Sequence, residues 1–220
     1  MKIKVLGISG SPVVNGNAEI FLKHILNSAK KLDVHTEAVY LSKYEVNDCI
    51  HCNFCLSKQK TGKYCSINDE MQEIYEKIEN ADIILLLSPV YFMRTSGRMA
   101  AFIDRLRVFI FGNISGGTLK NKIGMSAAVA WLRNGGFETT HMTHHFAFLT
   151  LEMIPASAHN CISPMGASVY SSPEGTGLFD KKIRLGIEED PAGLESGRII
   201  MKRAIELSCL VKENRRKERV

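Results

Sequence analysis

The chain has 220 residues, 45% of them hydrophobic and 23% charged, with a formal net charge of +5. This composition excludes an intrinsically disordered protein, and the length favours one domain, 1–220. The longest strongly apolar run, ADIILLL at 81–87, is too short to cross a bilayer, so no membrane partner is expected.

The N-terminal segment predicts a strand, a loop and a helix. Lys2–Ser9 is apolar and β-branched, and the chain start lacks the apolar core and cleavage site of a signal peptide. We therefore expect a cytoplasmic protein whose thiols stay reduced. The helix is indicated by apolar residues on one face: Phe21, Leu22, Ile25, Leu26 and Ala29.

Further strands alternate with helices along the chain. Thr36–Leu41 predicts a second strand, and a helix follows with Met71, Ile74, Tyr75 and Ile78 on one face. The nearly uniform apolar run Ala81–Ser88 is typical of a strand covered on both faces of a parallel sheet. The next predicted elements are a helix over 97–109 and a fourth strand over 122–130.

The C-terminal part predicts a helix over 138–153, a weak fifth strand near Cys161 and a last helix over 193–213. The basic run KENRRKERV at 212–220 is typical of a solvated helix end, so we expect no nucleic-acid partner. Strand–helix alternation predicts a doubly wound α/β domain with five parallel strands and helices on both faces. Ligands bind such sheets beyond the carboxyl ends of the strands.

The loop after the first strand, SGSPVVNGNAE at 9–19, leads directly into a helix. Hydroxyls, small residues and the positive end of a helix dipole suit a phosphate. The loop lacks the lysine of a P-loop and the spacing of a dinucleotide fingerprint, which favours a monophosphate. A polar turn with Asn17 as an ordinary helix cap remains the alternative.

Two other loops complete the carboxyl edge of the predicted sheet. SPVYFMRTSGRM at 88–99 places Pro89, Tyr91 and Phe92 where an aromatic plane would meet a ligand ring. WLRNGGFETT at 131–140 offers polar donors and paired glycines to the edge of a heteroaromatic ring. Each loop alone is also compatible with ordinary surface and core residues. Together they match the phosphate, flat face and polar edge of one ligand.

Four cysteines lie in a loop at about 47–66: Cys49, Cys52, Cys55 and Cys65. The tight C-x2-C-x2-C row favours an iron–sulfur cluster over zinc, whose usual form is two separated C-x2-C pairs. Zinc and free or redox-active thiols stay open. Nine residues separate Cys55 from Cys65, and Gly62 with its lysine neighbours predicts a flexible excursion. Cys65 is therefore the ligand that the pattern supports least.

Three histidines, His141, His144 and His145, share a face of the predicted helix. No carboxylate lies at metal-site spacing, which favours a helix packed at an interface over a metal site. The role of these histidines, and that of segment 163–192, is not determined by the pattern.

The stretches GISGSP and NGN, SPVYFMRTSGRMAAFIDR, and RNGGFETT resemble the flavin mononucleotide loops of the NADPH-dependent FMN reductase family, which has a flavodoxin-like fold. With CIHCNFC and the later cysteine, the sequence resembles the iron–sulfur flavoprotein branch of that family. The resemblance implies FMN and a [4Fe–4S] cluster as cofactors. The implied cluster ligands are Cys49, Cys52, Cys55 and Cys65.

The resemblance also implies the FMN-binding residues. Those near the phosphate are Ser9, Ser11, Pro12, Asn17 and Ala18. Those around the isoalloxazine are Pro89, Val90, Tyr91, Phe92, Arg133, Asn134, Gly135 and Gly136. No catalytic acid or base is assigned, because the redox chemistry belongs to the cofactors.

The expected function is that of an electron-transfer flavoprotein, an oxidoreductase that links a ferredoxin or similar one-electron donor to a small-molecule acceptor. The family resemblance implies a homodimer or homotetramer. Two alternatives stay open: a cluster-free NAD(P)H-dependent FMN or quinone reductase, and a non-enzymatic redox sensor.

Overall fold

A largely parallel sheet lies at the centre of the computed structural model, which describes residues 2–30, 32 and 34–217, without the side chains of 215–217. The strands are β1 (Lys4–Ser9), β2 (His35–Tyr40), β3 (Ile83–Tyr91), β4 (Arg94–Thr95), β5 (Ile123–Ala130), β6 (Ile154–Pro155) and β7 (Ala167–Tyr170). Their lateral order is β2-β1-β3-β5, with β6 and β7 both paired to β5. If β6 and β7 are counted as one position, this is the flavodoxin order.

Helices cover both faces of the sheet. They are α1 (Asn17–Lys30), α2 (Phe54–Ser57), α3 (Met71–Asn80), α4 (Gly97–Arg105), α5 (Val108–Phe111), α6 (Phe137–Thr150) and α7 (Pro191–Lys217). Residues of α1 and α7 form one apolar core with the sheet, and residues of α3 and α4 form the other. Successive strand residues point to opposite faces, so Leu85 lies in the first core and Leu86 in the second. The uniform apolar run of β3 follows from this double burial.

The predicted fifth strand near Cys161 is wrong. The sheet has seven strands rather than five, because β4 forms a hairpin with β3 and two short strands, β6 and β7, share the fifth position. β6 pairs with the start of β5 at Ile123, and β7 pairs with its end from Ala127. Between them the chain leaves the sheet, where Asn160 has a left-handed φ of 57° and a proline and a glycine follow at 164 and 166.

The continuous helix predicted over 97–109 is also wrong. Hydrogen bonds between residues three apart tighten the chain after α4, as in the bond from Leu106 N to Ile103 O at 2.9 Å. The helix therefore divides into α4 and α5. In the part of the chain that the structure describes, no helix is long and apolar enough to cross a membrane.

Candidate functional site

A cavity of about 580 Å³ opens at the carboxyl ends of β1, β3 and β5, a volume typical of small-molecule sites. It lies where the strand order reverses beside β1, the usual ligand position in this architecture. The lining residues are Ser11, Val13, Val14, Asn15, Gly16, Asn17, Ala18, Pro89, Val90, Tyr91, Val129, Trp131, Ser171, Arg184 and Leu185.

The start of α1 forms one end of this cavity. The first amide groups of a helix have no intrahelical acceptor and lie at the positive end of its dipole. The buried Glu19 shapes the loop, since its carboxylate accepts hydrogen bonds from Asn15 N at 3.0 Å and Ser42 Oγ at 2.9 Å. Asn15 has a left-handed φ of 53°. This end of the cavity therefore presents backbone donors suited to an anion.

Aromatic and cationic side chains line the rest of the cavity. Tyr91 and Trp131 contribute partly exposed rings, and the Trp131 ring stacks on Phe179 with centroids 6.4 Å apart. Arg184 adds a positive charge from the segment between β7 and α7. The cavity thus combines a positive, donor-rich end with flat apolar walls.

The four loop cysteines all line a second, much smaller cavity of about 20 Å³. Cys55 is buried in α2, Cys49 and Cys65 are half-buried, and Cys52 is exposed, all four as free thiols. The other lining residues are Ile50, His51, Asn53, Phe54, Ile67, Arg105, Arg107 and Val108.

The backbone around Cys52 is shaped by two left-handed residues. His51 has a φ of 51° and Asn53 a φ of 59°. A hydrogen bond with Ser66 Oγ at 3.0 Å is the main cause of a lowered pKa of the Cys52 thiol, with help from the Phe54 N–H. The site therefore favours the thiolate, the form that binds metals.

A buried ion pair supports the cysteine cavity from behind. Arg105 donates to both carboxylate oxygens of Asp69 at 2.7 and 3.0 Å, and each side chain is 1% exposed. Arg105 also donates to Tyr75 Oη at 3.2 Å and to Asn47 O at 2.8 Å. Burial alone raises the pKa of Asp69, but the hydrogen bonds and charge of Arg105, with the N–H groups of Asn47 and Met71, outweigh it and keep that pKa below its usual range.

Arg107 lies in the wall of the same cavity, and its Nε–H is unused. Its Nη2 donates to Asn53 Oδ1 at 2.8 Å, and its guanidinium lies 5.1 Å from the centroid of the Phe111 ring. Its Nε is buried and has no hydrogen-bond partner among the described residues. Buried donors without an acceptor are rare in folded proteins.

The segment between Cys55 and Cys65 is an anchored turn rather than the flexible excursion predicted from its composition. The buried Gln59 accepts hydrogen bonds from Ile114 N at 3.0 Å and Ser115 N at 3.1 Å, and its amide donates to Tyr64 O at 3.1 Å. Paired backbone bonds between residues 60 and 63 close the turn. Cys65 is thereby held at the cavity.

The sequence profile of the NADPH-dependent FMN reductases matches residues 3–167. The chain belongs to this family. Membership makes it a flavin-dependent oxidoreductase with FMN as the cofactor.

Similar proteins narrow the assignment within the family. An iron–sulfur flavoprotein of Methanocaldococcus jannaschii is 36% identical over 211 residues, covering 96% of this chain and 100% of the relative. An iron–sulfur flavoprotein of Archaeoglobus fulgidus is 29% identical over 220 residues, covering 97% of this chain and 99% of the relative. The chain therefore lies in the iron–sulfur flavoprotein branch.

Solved structures agree with the fold. RosB with bound 8-demethyl-8-formylriboflavin-5′-phosphate superposes with a TM-score of 0.73 at 14% identity, covering 96% of this chain and 81% of RosB. A WrbA-like flavodoxin of Agrobacterium tumefaciens gives a TM-score of 0.59 at 12% identity, covering 94% of this chain and 98% of its own. At these identities the likeness shows a flavodoxin-like fold alone.

The FMN-binding residues predicted from the sequence fall into two groups, those that line the large cavity and those that do not. Those brought together in the large cavity are Ser11, Asn17, Ala18, Pro89, Val90 and Tyr91. Ser9 lies buried beneath it and accepts a 3.4 Å hydrogen bond from Ser11 N, while Pro12 is exposed beside it. Phe92 is 98% exposed at the tip of the β3–β4 hairpin, outside the cavity lining.

The loop Arg133–Gly136 also lies outside the lining of the large cavity. Arg133 N donates to Gly175 O at 2.8 Å, and its guanidinium donates to Glu174 O at 2.9 Å. Gly136 has a φ of 102°, and a Cβ there would lie 2.5 Å from Met93 Cα. This loop therefore packs against the segment after β7 and against the hairpin, with Asn134 and Gly135 between these contacts.

The sequence prediction missed Arg184, Trp131 and Ser171. Trp131 lay inside a quoted loop and its aromatic character was the available signal. Arg184 and Ser171 come from the segment whose role was left open, and only the path of the chain after β7 brings them to the cavity.

Both cavities suit the cofactors of the iron–sulfur flavoprotein branch. The donor-rich start of α1 and Arg184 suit the FMN phosphate, and the rings of Tyr91 and Trp131 suit the flat isoalloxazine. Four thiols and an unused buried N–H around one cavity suit an anionic cluster. The thiol cavity is small, so a cluster requires these side chains to turn outward, which the exposure of Cys52 permits.

The three histidines predicted on one helix face do not form a metal site. Ser126 Oγ lies 2.7 Å from His141 Nδ1 and 2.8 Å from His144 Nδ1, deep in the protein. Burial lowers the pKa of His141 to about 3 and also lowers that of His144, so both are neutral. Across the described residues, no three His, Cys, Asp or Glu side chains are placed to hold a metal ion.

Proposed function

We propose that this protein is an electron-transfer flavoprotein that contains FMN and a [4Fe–4S] cluster and links a ferredoxin or similar donor to a small-molecule acceptor. When bound, FMN exchanges one or two electrons and a cluster exchanges one, which connects one-electron and two-electron partners. The observation that carries the proposal is the convergence of Cys49, Cys52, Cys55 and Cys65 on one cavity.

The ligand set follows from that convergence. Cys49, Cys52 and Cys55 stand in a tight C-x2-C-x2-C row, whereas zinc usually takes two separated C-x2-C pairs. Cys65 joins them at the same cavity. This arrangement favours a cluster over zinc. Thiolate ligands also require a reducing compartment, and we place the protein in the cytoplasm.

The surface beside the cysteine cavity supports a negatively charged protein donor. Lys58, Lys60 and Lys63 are exposed on the anchored turn, and Lys63 Nζ lies 5.7 Å from the ring centroid of Phe54, which lines the cavity. Ile50 is 69% exposed nearby in the chain. A basic surface around an apolar centre speeds the encounter with an acidic electron carrier.

We also propose a homodimer or homotetramer. The outward side of α6 carries Phe146 and Leu149, which are 58% and 59% exposed, and Met142 lies one turn earlier. Exposed apolar side chains grouped on one helix face are typical of a protein–protein contact surface. Light scattering of the wild type and of Phe146→Glu tests this, since the proposal requires a smaller particle for the variant.

The decisive experiment is anaerobic purification followed by absorbance spectroscopy and assays of iron, sulfide, zinc and FMN on one sample. We expect flavin bands with a broad thiolate–iron shoulder and about four irons per chain. Cys52→Ser should lose the iron and keep FMN. Cys209→Ser is the matched control, because Cys209 is exposed on α7, away from the cavity.

Other outcomes favour the alternatives. Flavin without iron, bleached rapidly by NADPH, would favour a cluster-free NAD(P)H-dependent FMN or quinone reductase. Slow turnover with every acceptor, together with oxidation-dependent binding of a partner, would favour a redox sensor. Full iron content in Cys52→Ser would refute the ligand assignment.

A further inference from the structure

We propose that Arg107 donates its unused Nε–H to the iron–sulfur cluster and raises the reduction potential of that cluster. The inference rests on the proposed function, because it needs an anionic group among the four cysteines. Arg107 lies outside the cysteine motif and outside the flavin loops, so neither pattern points to it.

The position of Arg107 is fixed independently of any ligand. Asn53, in the left-handed conformation between Cys52 and Cys55, accepts from Nη2 at 2.8 Å. The Phe111 ring lies under the guanidinium, with 5.1 Å to its centroid. The side chain that these contacts hold lines the cysteine cavity, and its Nε–H is buried without an acceptor among the described residues.

The neighbouring arginine shows what a structural role looks like here. Arg105 lines the same cavity, but its guanidinium is bound by Asp69, Tyr75 and the backbone of Asn47. The carboxylate of Asp69 balances its charge. Arg107 forms no ion pair with any described residue, and its Nε–H has no acceptor there. Its charge and its donor are therefore both available to a ligand.

An available cation and donor act mainly on the more negative redox state. Reduction adds one negative charge to a cluster held by four thiolates. Hydrogen bonds and charges near the sulfur atoms set cluster potentials. Arg107 should therefore stabilise the reduced form more than the oxidised form and make reduction easier.

The test is an anaerobic redox titration of the cluster in the purified holoprotein. Arg107→Met removes both the charge and the donor. It should lower the equilibrium constant for one-electron reduction of the cluster about tenfold, which equals a fall of about 59 mV in the reduction potential. Arg107→Lys, which keeps the charge without Nε, should fall between this variant and the wild type. The matched control is Arg98→Met, since Arg98 on α4 donates to Leu41 O at 2.9 Å and does not line the cavity.

Two further measurements keep the test decisive. Asn53→Gly retains the left-handed backbone and removes the acceptor of Nη2, so it should also lower the reduction potential of the cluster. This variant provides the test if Arg107→Met does not assemble its cluster. Equal potentials for the wild type, Arg107→Lys and Asn53→Gly would overturn the inference. If the wild type contains iron but Arg107→Met has the same reduction potential, the inference alone is overturned. If the wild type contains no iron, the proposed function is overturned as well.

Discussion

The two cavities of this flavoprotein are built in different ways. The flavin cavity is formed where strands end, and its donor-rich end is the start of α1. The cysteine cavity lies in a loop between β2 and α3 and depends on buried side chains, chiefly the Arg105–Asp69 pair and Gln59. A site made of backbone at strand ends comes with the fold, whereas a site in an inserted loop needs its own internal support.

The largest effect expected of a single substitution follows from breaking that support. Asp69→Ala leaves Arg105 as an unpaired buried charge, which should cost about 3–5 kcal/mol of unfolding free energy. The iron should be lost before the FMN, because the flavin cavity shares none of these contacts. Urea denaturation with iron and flavin assays measures both effects. Arg203→Ala, at an exposed 3.3 Å ion pair on α7, is the control and should cost less than about 1 kcal/mol.

Acid should act at a different place, the buried histidines of α6. His141 and His144 join α6 to β5 in neutral form, with folded pKa values below the unfolded value near 6.5. The unfolded chain therefore binds more protons, and stability is complete above about pH 6.5 and falls as the pH drops towards 3. The slope should be about 1.4 kcal/mol per pH unit for each histidine.

Urea midpoints between pH 7 and 4 check this dependence. The Asp69 carboxylate keeps its charge over the same range, because its pKa is held below its usual value. A flat stability profile down to pH 4 would contradict the buried, neutral histidines.

A smaller effect is expected from the anchored turn. Gln59→Ala leaves Ile114 N and Ser115 N without their acceptor, which should cost about 1–3 kcal/mol. Cys65 should lose its fixed position, so iron content should fall while FMN binding is retained. Lys60→Ala, on the exposed tip of the same turn, is the control. Iron retention equal to the wild type would show that Cys65 is placed without Gln59.

The smallest effect on stability comes from the lysines around the cysteine cavity. Changing Lys58, Lys60 and Lys63 together to Glu should alter unfolding by less than about 0.5 kcal/mol. At low salt it should slow reduction by a ferredoxin by about tenfold, with the difference vanishing at high salt. Lys30→Glu with Lys202→Glu, on α1 and α7, is the control. Reduction rates measured by stopped flow test this prediction. Equal slowing in the triple variant and in the control would refute a specific docking face.

The sequence predicted the sheet wherever burial leaves a local pattern. The uniform apolar run of β3 and the periodic face of α1 are local signals, and both elements form. The short β7 was missed, because four residues between turns carry no comparable pattern. The cysteine spacing likewise predicted a common site for four thiols.

What the sequence did not predict depends on contacts between distant segments. Gln59 binds residues 113–115, and Asp69 binds Arg105, so neither anchor is visible in the loop alone. The position of Arg133 at Glu174 likewise results from the path of the chain after β7. Phe92 looked like a ligand contact because of its residue type, although the hairpin turns its ring to solvent.

The division of the last sheet position between β6 and β7 has a consequence for association in solution. A long, straight outer strand offers a row of free N–H and C=O groups to any other chain in extended form, which is a route to aggregation. Here that outer row is broken into pieces of two and four residues. The interruption that defeats a simple strand prediction thus also leaves this side of the sheet a poor template for amyloid-like growth.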